Sequence, residues 1–122
     1  MQILALLLAV FHGINGVAML VAPDFWFASV PGASDTGAFN PHFIRDIGLA
    51  FIGSAGALLL WRRNPLPAVL LPAAIFLGGH AGLHLVEMVT HGTNLQNAIR
   101  DLLLIAAPGF LPVWLALRGR QA

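Results

Sequence analysis

Four apolar runs, each long enough to cross a bilayer, constrain everything this chain can fold into. A membrane helix needs about 20 mainly apolar residues, and such runs lie at residues 2–22, 41–61, 66–91 and 95–117. They consume most of the 122 residues, leaving the Pro23 to Asn40 loop and two short turns. With 58% hydrophobic and 9% charged residues, the chain is far from the roughly 25% charged content of soluble domains. A water-soluble globule is excluded. Six arginines, scattered and nearly balanced by five acids, offer no basic surface to nucleic acid. The absence of cysteine removes disulfides, thiolate metal sites, Fe–S clusters and thiol nucleophiles together.

The fold class expected is all-α: a single transmembrane domain, residues 1–122, built as an integral membrane four-helix bundle of two helical hairpins. Local signals agree. Asn40-Pro41 reads as an N-cap followed by proline in the first turn, and Thr93 to Gln96 has capping-box spacing. Gly92 is placed to end the third run, and Arg62-Arg63-Asn64-Pro65 closes the second. Pro72, Pro108 and Pro112 fall inside runs, where kinks are expected and membrane helices tolerate them. Residues 1–22 read as an uncleaved span, because no Lys or Arg precedes the run and its length suffices to cross.

Arginine also orients the chain. Arg62 and Arg63 follow the second span, and Arg118 and Arg120 follow the fourth. Positive charge marks the cytoplasmic side, so both termini are expected to be cytoplasmic in an inner (plasma) membrane. Trp26 then suits the outer interface, and Trp61 and Trp114 the inner one. Phe43-Ile-Arg-Asp46 in span two also resembles Ala98-Ile-Arg-Asp101 in span four, while spans one and three each carry a mid-helix histidine, His12 and His80. An internal pseudo-two-fold repeat, its axis along the membrane normal, would account for both.

Ionisable groups are expensive inside a bilayer and mark function by default. Counted inward from the outer ends at about 1.5 Å per residue, His12 and His80 come out near the midplane. His84, Glu87, Asp46 and Asp101 lie one or two turns in, all in the outer half. At about 100° per residue, His80, His84, Glu87 and His91 share one stripe. His12, Asn15 and Met19 share a face of span one, His42 and Asp46 are one turn apart, and Asn94, Asn97 and Asp101 line up on span four. Lipid offers these groups no hydrogen-bond partner, so they are expected to face one another as an outward-opening polar pocket. Gly78 and Gly82, with Gly13 and Gly16 opposite, would bring the backbones close. Each Asp is expected to turn inward and each neighbouring Arg, Arg45 and Arg100, to snorkel outward; the alternative keeps Arg inside as an anion clamp.

Several chemistries suit this set. His80, His84 and Glu87, completed by Asp46, Asp101 or His12, could ligate a divalent transition metal such as Zn, Fe, Cu or Mn; the bland alternative is a hydrogen-bond ladder that sets helix register. Glu87, Asp46 and Asp101 are the candidate catalytic acids and bases. His12 and His80 are the candidate cofactor ligands, to a haem b held between spans one and three. A proton wire is disfavoured, since no group continues it to the inner side. Ser29, Ser34 and Ser54 lack any nucleophile-elbow context. Phe25-Trp26-Phe27 reads as an interfacial anchor or a lid.

The run from Phe43 to Trp61, an Arg-led, glycine-rich helix, resembles the second helix of small four-span bacterial membrane proteins of the DoxX-like kind. The resemblance covers length, span number and this helix. Some DoxX-like proteins are associated with quinone-linked oxidoreductase complexes, which implies a subunit role and assigns no catalytic residue; the His80 to Glu87 stripe is not part of the pattern. Two classes of function therefore stand. One is an intramembrane His/carboxylate site that binds a metal ion or does acid–base chemistry on a small lipophilic molecule. The other is a non-catalytic accessory subunit, or a haem b or quinone-binding electron carrier, in a homo-oligomer or larger membrane complex. The lipid bilayer is the partner common to all.

Overall fold

The computed structural model describes residues 1–118; Arg120, one of the orienting arginines, lies outside the described residues. Four helices are long and apolar enough to cross a membrane. They are α1 (Gln2–Val21), α3 (Pro41–Arg63), α4 (Pro67–His91) and a fourth that runs from Leu95 to Arg118 in three pieces. Those pieces are α5 (Leu95–Asp101), a π-helical segment (Leu102–Ala106) and α6 (Ala107–Arg118). The Pro23 to Asn40 loop carries the short helix α2 (Pro23–Ser29) and a 3-10 turn (Ala33–Thr36). No strand occurs among the described residues.

Helix ends follow local chemistry. Asn40 caps α3 by accepting a hydrogen bond from the Phe43 N–H at 3.1 Å. α3 runs through Arg62 and Arg63 and stops at Asn64, which is extended because the following Pro65 disfavours helical backbone before it. Gly92 ends α4 with φ +73°, a conformation cheap only for glycine. The cap of α5 is Asn94, not Thr93: its Oδ1 accepts from the Asn97 N–H at 2.9 Å. The short amide of Asn94 reaches the N3 position, so the expected box shifts by one residue.

α1 packs along α3, α3 along α4, and α4 along α6, while α1 and α6 touch only lightly. The chain thus forms two helix pairs, each closed at glycines. A Cβ on Gly16 would stand 2.6 Å from the Gly48 carbonyl oxygen, and one on Gly48 would stand 2.8 Å from that of Gly16. In the second pair, a Cβ on Gly109 would meet the Leu77 carbonyl oxygen at 2.7 Å. The close approaches therefore lie within each pair. Gly82 touches nothing within 4 Å and Gly13 sits against Ala55 of α3, a correction to the expectation that glycines of α1 and α4 oppose each other.

Two apolar clusters fill the interior. Toward the end bearing Arg62, Arg63 and Arg118, called here the arginine end, Ala5, Leu8, Leu58, Trp61, Leu70 and Leu115 pack together. Trp61 is fully buried there, a correction to the expectation that it sits at the interface, whereas Trp114 is 42% exposed. Toward the other end, the histidine end, Met19, Ile44, Phe51, Ala73 and Leu77 form the second cluster.

Candidate functional site

The polar stripe of α4 meets α5 at the histidine end. His80, the deepest member on α4, is stacked on Phe76 (ring centroids 6.2 Å apart) and edge-on to Phe51 (5.7 Å). One turn on, the His84 ring lies 4.8 Å from that of His80. His84 Nδ1 stands 3.8 Å from Asp101 Oδ2 on α5, and both side chains are largely covered. That separation is too long for a hydrogen bond. Asp101 is held from its other side, where Arg100 Nε donates to Oδ1 at 2.7 Å. Arg100 Nη1 in turn donates to Asn97 Oδ1 at 3.3 Å. A cavity of about 200 Å³ opens over this group, lined by His84, Glu87, Met88, His91, Gly92, Thr93 and Asp101.

The loop folds over the same end. Trp26 Nε1 donates to Asn15 Oδ1 on α1 at 2.9 Å, and Phe27 packs on Phe39. Gly32, at φ +86°, lies so near the Arg100 guanidinium that a Cβ there would come within 3.2 Å of Nη2. The Arg100 guanidinium therefore lies beside the loop while it bonds Asp101 and Asn97. Of the aromatic triplet, Trp26 and Phe27 pack against the core, while Phe25 is 71% exposed.

His12 is buried in α1, and its Nε2 lies 3.3 Å from the carbonyl oxygen of Pro108. A carbonyl only accepts, so Nε2 donates. This carbonyl is free because its helical partner four residues on is Pro112, which has no N–H. Nδ1 is left without a partner. Phe51 is stacked on His12 at 5.7 Å and also touches His80. The two imidazoles are therefore joined through a packed phenyl ring, and the haem arrangement does not fit this packing.

The metal set drawn from His80, His84, Glu87 and Asp46 is not assembled: among the described residues no three His, Asp or Glu groups gather closely enough to hold an ion. Each member explains why. His80 is engaged with aromatic rings, and Glu87 lies on the exposed side of the cavity rim. Asp46 faces outward at 56% side-chain exposure, 3.4 Å from His42 Nε2. Ile44 and Gly48 face inward on α3, and a residue two positions from each is rotated about 200° away. The expected division of the Arg-Asp pairs also changes. Arg45 and Asp46 are both exposed, and Arg45 Nε donates to the Leu20 carbonyl at 3.2 Å, satisfying an orphan acceptor at the end of α1. Arg100 and Asp101 are both largely covered and paired with each other, so Arg100 does not snorkel outward as expected. Ser54 donates to its own helix at Ala50.

Structure thus brings His84, Asp101 and Glu87 to one cavity, with His80 behind and His12 and Asp46 elsewhere. Arg100, Asn97, Met88 and Thr93 join them. The alignment of Asn97 with Asp101 was legible in the spacing; the inward turn of Arg100, which places it beside Gly32, far off in sequence, was not. No family model matches the chain, and neither a curated protein nor a solved structure matches it.

Proposed function

We propose that this chain is a multi-pass membrane protein, a four-helix bundle with both termini cytoplasmic. Its outward-opening pocket does acid–base chemistry on the polar head of a small lipophilic molecule. His84 is the proton-transferring group, Asp101 its orienting carboxylate, and Glu87 a second carboxylate at the rim. The observation that carries this reading is the sequence of contacts from Arg100 through Asp101 to His84 at the wall of an open cavity. A carboxylate fixed by arginine, 3.8 Å from the imidazole, needs to close by less than about 1 Å to accept from it and orient the ring, and an oriented imidazole is the commonest general acid–base. The apolar helix surfaces around the cavity favour a substrate that arrives from the bilayer.

The test uses 2-naphthol, a lipophilic molecule whose neutral and deprotonated forms emit at different wavelengths. Vesicles carrying the wild-type protein are expected to show more emission from the deprotonated form than protein-free vesicles. His84→Ala should return the spectrum to the protein-free one, and Asp101→Asn should come close to it. Identical spectra for wild type and His84→Ala would sink the assignment.

A further inference from the structure

The seam where α1 and α6 touch only lightly is not closed. Toward the arginine end it holds a groove of about 420 Å³, lined by Leu4, Ala107, Phe110, Leu111 and Trp114. Every one of these side chains is apolar. The groove ends at Trp114, over whose ring the Arg118 guanidinium lies, 5.5 Å from the centroid. From Ala107 to Arg118 the helix rises roughly 16 Å, about the half-thickness of a bilayer's hydrocarbon core. A cation therefore stands where a lipid phosphate lies, and the slot below it is one leaflet deep.

Charge decides what fits. The acids Asp24, Asp35, Asp46, Glu87 and Asp101 all belong to the histidine end or its loop, whereas Arg62, Arg63 and Arg118 share the arginine end. Among the described residues Arg118 meets no carboxylate. A second copy seated side by side in the groove would bring its own arginine end against this one, like charge on like. An acidic amphiphile matches both halves of the site: guanidinium pairs well with phosphate, and basic residues at a membrane surface attract anionic lipids. We infer that the α1–α6 groove seats one acyl chain of an acidic phospholipid, its phosphate paired with Arg118.

Brominated lipids test this, because bromine quenches tryptophan only on contact. The protein is reconstituted in phosphatidylcholine with a small fixed fraction of either dibromo-phosphatidylglycerol or dibromo-phosphatidylcholine. The acidic lipid is expected to quench about twofold more or better at equal fraction, and the excess should vanish in Trp114→Phe. It should vanish in Arg118→Gln but survive in Arg118→Lys, and Ala107→Phe should abolish it by filling the slot. Equal quenching by the two lipids in the wild type, as a second copy occupying the groove would give, overturns the inference. So does an excess that persists in Trp114→Phe or Ala107→Phe.

Discussion

Gly16 and Gly48 show how much one hydrogen atom in place of a methyl group decides here. Each presses on the other's backbone carbonyl, so a Cβ at either position forces α1 and α3 apart. Overpacking of this kind costs about 1–3 kcal/mol. Gly48→Ala is therefore expected to lower stability by that amount in SDS-titration unfolding, while Gly82→Ala, with nothing within 4 Å, should leave it unchanged or raise it slightly. Equal losses in both variants would mean that the close approach is not at Gly48. Asp46 and Asp101 carry the complementary lesson. They sit in matching Ile-Arg-Asp segments, yet one is exposed beside His42 and the other is held by Arg100. Residue type named both as candidates, but facing was settled by neighbours: Gly48 turns Asp46 outward by locking α3 on α1.

Among the elements, the fourth span departs furthest from a regular helix. Pro108 has no N–H for the Leu104 carbonyl, and Pro112 none for that of Pro108. Just before the first proline the backbone widens into the π segment, where the Ala107 N–H donates to the Leu102 carbonyl, one of the adjustments by which membrane helices accommodate proline. At the second proline the loose carbonyl is taken by His12. Removing that donor should cost about 1–3 kcal/mol, the penalty for a buried acceptor left unsatisfied. In a Pro112→Ala background the helix supplies its own N–H, so His12→Phe should cost about 1 kcal/mol less there than in the wild type. A double-mutant cycle with no coupling would separate His12 from this carbonyl. A departure from regular helix near Pro108 was legible from the proline; that a histidine 96 positions away would serve its carbonyl was not, since no local pattern records which helix passes alongside.

At the scale of the whole molecule, three of the five described arginines lie at one end, and Arg45, Arg100 and the carboxylates lie toward the other. Basic residues mark the cytoplasmic side, so the arginine end is expected to face the cytoplasm. Because the chain has no cysteine, single-cysteine variants are clean reporters. In intact cells or right-side-out vesicles, an impermeant maleimide is expected to label Thr93→Cys and to spare Asn64→Cys until the membrane is opened. Labelling only at position 64 would reverse the topology and with it the outward-opening pocket.

The spans, their limits within two residues, the proline-bearing fourth helix and the crowding of polar groups at one end were all readable in the chain itself. Those features arise from costs that each residue meets locally: hydrocarbon rejects charge, proline lacks a donor, and glycine alone tolerates certain backbone angles. Which histidine would face which carboxylate was decided only when the helices packed. Rotation of a helix about its axis is nearly free in isolation and is fixed by contacts with its neighbours. Here packing set His84 beside Asp101, while the Gly16–Gly48 approach turned the other face of α3 inward and left Asp46 outside.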